Sequence, residues 1–409
     1  MTDPSKPFLP FTDFVNAVQA AQHAEVAALP AAQVSGPDEF EKMREHVLKL
    51  YQGVDVPHSF QDESGQVFDC IPIEQQPAAR AAEAPVIATP PELPGSSPES
   101  AIQPPTTASA AGTDAFGNAR ICPAGTVPMR RITPEEIARF QTLERFFRKS
   151  PVGRGIQPTL SPLQFGVQPT HKYAHAFQNV NNLGGHSFLS VWAPHVSDDQ
   201  FSLSQHWYAA SGAAGVQTVE LGWQVYPQKY HHSKPALFVY WTADGYQNTG
   251  SYNLDDGDFV QTNSAWTLGG TLSPWSTVGG PINEIELACH LSGGNWWIYV
   301  NGAALGYYRG TQYGGGPLAT FATTIDYGGE TVGSGVWPPM GSGERSDAGN
   351  THAASQRDIY YYPAPSGNPA LPNLIGQQPS PLCYTISPGS AAPPWNRYFF
   401  YGGAGGSSC

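Results

Sequence analysis

At 409 residues the chain exceeds one ordinary domain, so two units, or one large unit with an appendage, are expected. Its 33 acidic and 20 basic side chains, a formal charge of -13, leave little to neutralise phosphates and argue against a nucleic-acid partner. No run of about 18 apolar residues exists, so no helical membrane span is expected, while 44 Gly, 39 Pro, 10 Trp and 19 Tyr describe a turn-rich β protein of a style common among secreted proteins.

The N-terminus, MTDPSKPFLPFTDFVNAVQAAQHAEV, lacks a basic region followed by an unbroken apolar run, so no signal peptide is evident. Phe11 to Leu29 carries Phe14, Val15, Val18 and Val26 on a helical period, and Pro37 to Leu50 carries Phe40, Met43, Val47 and Leu50, with Pro37 in the first turn. Both read as amphipathic helices. From about Pro77 to Asn118 the chain is Ala, Pro, Ser and Thr with few large apolar residues, and too little buried surface to offset ordering predicts a flexible insert. In ITPEEIARFQTLERFFRK, Thr133 and Glu136 form a capping box and Ile137, Phe140, Glu144 and Phe147 fall at helical spacing, which predicts one helix. A second loose stretch, SPVGRGIQPTLSPLQFGVQPT, closes the first third.

From about His171 short strands with Gly, Asn and Asp punctuation follow one another without intervening helices, the pattern of an antiparallel β-sandwich. GGNWWIYVNGAALGYYRG reads as a hairpin around Asn-Gly. In TVELGWQVYPQ, alternation puts Val219, Leu221, Trp223 and Val225 on one face and Glu220, Gly222, Gln224 and Tyr226 on the other. A strand glutamate on such a polar face is ordinarily solvated, as Glu284 and Glu286 opposite Ile285, Leu287 and Cys289 are expected to be.

Common catalytic motifs are absent: there is no G-x-S-x-G, H-E-x-x-H or P-loop. His231 and His232 read as surface residues, and Asp255 to Asp258 as a solvated turn without the ligand spacing of a calcium loop. The five cysteines, Cys70, Cys122, Cys289, Cys383 and Cys409, are too scattered for zinc, and two bridges with one buried thiol would fit. Glu330, in TTIDYGGETVGSG, follows two glycines that let a side chain be presented without crowding. Two carboxylates from distant strands that faced one groove could share a proton, one acting as base and the other as acid.

VELGWQVYP, FVYWTADGYQNTGSYNL, FVQT, NWWIYVNGAALGYY, YGGE, MGSG and the ending CYTISPG…WNRYFFYGGAGGSSC resemble, in order, the neprosin family of glutamic peptidases. Upstream, GQVFDCIPIEQQPA and CPAGTVPMRRITPEE resemble the two signature segments of that family's propeptide, so the likeness runs from about Ser64. The resemblance implies a β-sandwich catalytic domain made as an inhibited precursor and activated by acid, cleaving after proline, with Glu220 and Glu330 as its catalytic pair and no cofactor or metal. It also implies bridges Cys70–Cys122 and Cys383–Cys409, leaving Cys289 a buried thiol. Gln224 is a candidate donor to water or oxyanion, and Trp241, Tyr246 and Tyr252 are candidates for an aromatic wall against a proline ring.

Two departures border the expected groove. Ser251 and Asp256 stand where plant members carry a pair of cysteines, and Tyr327 stands where the family usually has Trp. The expected organisation is an N-terminal extension and propeptide over residues 1–168, then a catalytic sandwich over 169–409. The expected protein is a secreted monomer acting on proline-containing proteins or peptides, with its propeptide as intramolecular inhibitor. The rival reading is a non-catalytic sandwich that binds glycans or peptides through its aromatic residues.

Overall fold

The computed structural model describes residues 5–80, 87–94, 107–108, 112–149 and 171–409. The expected boundary at 168 and most of the second loose stretch lie outside them.

The N-terminal part opens with three helices, α1 (Phe11–Ala20), α2 (His23–Val26) and α3 (Pro37–Tyr51). The helix expected from Phe11 to Leu29 is interrupted, because Ala21 and Gln22 take extended ψ values of 132° and 136°. α3 follows its sequence pattern: Pro37 sits in its first turn, Asp38 and Glu39 complement the N-terminal dipole, and Phe40, Met43, Val47 and Leu50 are buried. Next come β1 (His58–Gln61), β2 (Val67–Pro72), β3 (Thr107–Ala108) and β4 (Thr126–Arg130); β1, β2 and β4 form an antiparallel sheet. Cys70 on β2 is bonded to Cys122, as the resemblance implies.

The Thr133–Glu136 capping box is present, with each side chain bonded to the other's backbone N–H. The single helix expected after it is instead two short ones, α4 (Pro134–Ile137) and α5 (Leu143–Phe147). The reason is a second cap: Thr142 is extended and its hydroxyl accepts from the Arg145 N–H, so the helix restarts in a new direction.

The sandwich comprises β5 (His171–Asn182), β6 (Gly184–Ser190), β7 (Phe201–Gly212), β8 (Gly215–Val225), a short α6 (Pro227–Tyr230), β9 (Ala236–Thr242), β10 (Phe259–Gln261) and β11 (Leu272–Ser273). It continues through β12 (Glu284–Ser292), β13 (Asn295–Val300), β14 (Ala303–Arg309), β15 (Ala322–Val332), β16 (Ala354–Tyr361), β17 (Ile375–Gln377), β18 (Thr385–Ser390) and β19 (Arg397–Gly402). One antiparallel sheet has the order β17-β5-β15-β7-β8-β9 and the other β10-β14-β13-β12-β6-β16-β19-β18, while β3 pairs with β11. The β13–β14 hairpin turns at Asn301 and Gly302, both at positive φ (47° and 75°), as a two-residue Asn-Gly turn requires. Val219, Leu221 and Trp223 on β8, with Ile285, Leu287 and Cys289 on β12, belong to one buried core. Alternation therefore sorted the faces of both strands correctly. Cys289 is a free buried thiol.

Several expectations are corrected. The insert is not wholly loose: Ile87, Ala88 and Leu93 pack against Trp297, Tyr299 and Tyr307 on the outer face of the larger sheet, and Tyr299 donates to Pro91 O at 2.9 Å. Its few apolar residues find an aromatic surface that composition cannot reveal; residues 81–86, 95–106 and 109–111 lie outside the description. Glu284 and Glu286 do face away from the core, but Arg357 pairs with the first and His186 with the second. His232 is buried, 2.8 Å from the Gln66 side chain, because the N-terminal part covers it. Cys383 and Cys409 are not bridged: both are free thiols, and Lys172 Nζ holds the Cys409 carbonyl at 2.8 Å.

Candidate active site

The register of the smaller sheet decides which strand residues face the same way. Gln224 on β8 pairs with Leu203 on β7, Leu203 with Glu330 on β15, and Glu330 with Tyr173 on β5. Paired residues share a face, and Glu220, four positions before Gln224, shares it too. Both glutamates thus project from the sheet face opposite the sandwich core, with β7 between them. Both are buried, at 0% and 3% exposure.

What buries them is the N-terminal part. Lys149, just past α5, places its ammonium 2.7 Å from Glu220 Oε2, 2.8 Å from Glu330 Oε2 and 3.0 Å from Gln205 Oε1. The residues leading to it lie across the sandwich: Gln228 Nε2 donates to Arg139 O at 2.7 Å, and Lys229 Nζ to Phe146 O at 2.9 Å. The helices at the start of the chain back this strap from outside. Glu39 of α3 accepts from the Leu143 N–H at 2.8 Å, and the His46 ring meets Phe147 edge-on at 5.0 Å.

Each glutamate has its own set of donors besides the lysine. Glu220 accepts from Gln205 Nε2 at 3.0 Å, Thr218 Oγ1 at 2.9 Å and Tyr246 OH at 2.6 Å. Glu330 lies 2.7 Å from His171 Nδ1 and accepts from the Tyr173 hydroxyl. Burial alone would keep Glu330 protonated, but Lys149 and His171 outweigh it and hold its pKa down at about 2. Burial likewise works against the Lys149 charge, and the two carboxylates overcome it, so its pKa is raised. In the covered site one ammonium thus bridges the two carboxylates.

Of the other sequence candidates, Tyr246 is part of the site, held at a left-handed φ of 64° that a tyrosine rarely adopts. Gln224 donates to the Tyr252 hydroxyl at 3.3 Å, and Tyr252 packs on Phe238 and Tyr240 along the same face. Trp241 is a correction. It pairs with Val219, so it points away from Glu220 into the sandwich, against Tyr308 and Tyr313. Tyr327 also faces inward, 4.7 Å from the His206 ring, and does not border the groove. The loop lacking the plant cysteines is closed by Ser251 Oγ donating to Asp258 Oδ2 at 2.6 Å. Asp255, expected in solvent, is buried against Lys229 at 2.7 Å. No cluster of metal-ligating side chains occurs among the described residues.

Sequence reasoning missed Lys149, His171, Tyr173, Gln205 and Thr218. Thr218 was within reach, since it lies two positions before Glu220 on one strand face.

Residues 198–404 match the neprosin family model, and residues 59–177 match that of the neprosin activation peptide. The chain belongs to the neprosin family. Its strap and Lys149 thus lie inside the activation peptide, and both glutamates lie inside the neprosin domain. Among solved structures it is similar to scytalido-glutamic peptidase with a transition state analog inhibitor, at 6% identity and a TM-score of 0.31 over 57% of this chain and 98% of that one. It is also similar to SCP-B, a member of the eqolisin family of peptidases, in a complex with the tripeptide Ala-Ile-His, at 7% identity and a TM-score of 0.29 over 58% and 98% of the two chains. This neprosin-family chain is a peptidase made with its own activation peptide.

Proposed function

We propose that the protein is a secreted, acid-active glutamic endopeptidase, made as a monomeric zymogen of an inhibitory part up to about residue 168 and a catalytic sandwich after it, that cleaves on the C-terminal side of proline. The observation that carries this reading is the convergence of Glu220 and Glu330 on one ammonium, Lys149 Nζ. Two carboxylates that reach one cationic nitrogen can also reach one water.

With Lys149 gone, two like charges at close quarters favour retaining one proton between them. Glu330, which keeps His171 beside it, is the base: it takes a proton from water as the water oxygen bonds to the peptide carbonyl carbon. Glu220, oriented by Gln205, Thr218 and Tyr246, is the acid. It hydrogen-bonds the carbonyl oxygen as negative charge develops there, then protonates the leaving nitrogen as the C–N bond breaks. Only the form with one proton on the pair can do this, which confines activity to acid pH.

Preference for proline is supported by the surroundings of the lysine. The Trp207 and Phe238 rings lie 5.3 Å and 5.9 Å from Lys149 Nζ, with Tyr252 beside Phe238. A compact apolar ring suits such walls better than a polar side chain. The test is to hold the full-length protein at about pH 3 to 4, in the usual carboxylate range, then add a proline-containing peptide and identify its products by mass. Loss of the N-terminal third and cuts after proline are expected; cuts independent of proline would refute the specificity, and an inert protein would refute the peptidase.

A further inference from the structure

Lys229 is a buried cation that the glutamate chemistry does not use. It lies on α6, directly after β8, and its ammonium is 2.7 Å from Asp255 Oδ2 and 4.9 Å from the centre of the Tyr252 ring. Tyr252 in turn takes the Gln224 amide, which places this end of the groove on the glutamate face. Lys229 also grips the strap: the ammonium donates to Phe146 O at 2.9 Å and lies 3.5 Å from the centre of the Phe146 ring. One side chain therefore holds both the backbone and the aromatic face of one residue of a peptide whose Lys149 reaches the catalytic pair. Burial lowers the Lys229 pKa to about 8 despite Asp255, so at acid pH it is charged.

From this geometry we propose that Lys229, fixed by Asp255, is a specificity-determining residue of the groove: it binds a substrate residue through its carbonyl oxygen and the face of an aromatic side chain, in the place Phe146 fills before activation. The assignment rests on the peptidase reading above. A buried ammonium that loses the Phe146 carbonyl needs another acceptor, and a peptide entering the groove supplies one. Attraction between a desolvated cation and an aromatic face then favours Phe or Tyr over an aliphatic residue of similar bulk. Asp255 supplies the counter-charge that keeps the ammonium in place and leaves the ring face open.

The test profiles acid-activated full-length protein on a proline-containing peptide series in which each position flanking the cut carries Phe, Tyr, Leu or Ala in turn. Expected is one position where Phe and Tyr exceed Leu in kcat/KM by about tenfold. In Lys229→Met/Asp255→Leu, which removes both charges and leaves neither buried alone, the ratio should fall to about one; in Lys229→Arg it should persist. A parent without aromatic preference at any position, or a double variant that keeps the parent ratio, overturns the proposal while leaving the peptidase reading intact. A double variant that only activates faster, with an unchanged profile, also overturns it, since Lys229 would then serve the strap alone. A parent that cleaves no peptide sinks the peptidase reading itself.

Discussion

Lys149 meets Glu220 at 2.7 Å, and the two lie 71 positions apart in the chain. The same nitrogen meets Glu330, so one side chain of the activation peptide occupies the spot that the proposed mechanism reserves for water. Breaking a buried ion pair by removing one partner costs about 3 to 5 kcal/mol, although two carboxylates left together recover part of that by taking up a proton. Lys149→Met should therefore weaken docking of the N-terminal part by about 2 to 3 kcal/mol. Activity at pH 5 to 6 before any acid treatment is the measurement: the variant should show it and the parent should not.

Glu330 would set the pH range of the proposed release by acid. Its pKa is about 2 with Lys149 docked, and loss of that charge lets it rise toward the ordinary glutamate value near 4.3. A carboxylate depressed in the docked form stabilises that form fully above its released pKa, and the contribution is lost as pH falls through the docked one. Docking should be firm above about pH 5 and weaken progressively from about pH 4 downward. Protease susceptibility of the stretch before Lys149, followed against pH in Glu330→Gln/Glu220→Gln protein to prevent self-cleavage, should lose this pH dependence and show an open strap throughout.

His171 should govern the acid limb of the activity. Removing a hydrogen bond to the ionised form raises a carboxyl pKa, so His171→Ala should move the acid limb of kcat/KM to higher pH by about one unit, worth about 1.4 kcal/mol. His171→Gln keeps a donor and should move it less. A general loss of rate with the limb unmoved would mean that His171 only supports the fold.

Tyr246 orients Glu220 from a strained backbone position. Tyr246→Phe removes a hydrogen bond that positions the Glu220 carboxyl, about 0.5 to 1.5 kcal/mol for a neutral acceptor, and should lower kcat by up to about tenfold without a matching loss of thermal stability. Turnover and melting temperature measured on the same preparation separate the two effects.

Strand parity placed Glu220, Gln224 and the core face of β8 correctly, since alternation is local and needs no knowledge of partners. The same rule could have excluded Trp241, but only with the β8–β9 register, in which Glu220 faces Tyr240 and Val219 faces Trp241. The pairing of Glu220 with Glu330 rested on resemblance, because two strands separated by a third leave no trace in spacing. Lys149 had no signal at all: a lysine after Phe-Phe-Arg reads as the solvated end of a helix, and its burial depends on partners contributed by three strands. Thr142 is visible in the sequence but falls within a helical period, and Asp255 reads as a turn residue because its partner Lys229 lies on the far side of β9 in the chain.

On the reading proposed above, Glu220 and Glu330 form one catalytic pair. The direct measurement is kcat/KM of the acid-treated parent, Glu220→Gln and Glu330→Gln on one proline-containing peptide, with circular dichroism to confirm that each is folded. Each variant should lose about a thousandfold or more, and the double variant hardly more than either single one, because the pair works as a unit. Either single variant cleaving like the parent would contradict the account.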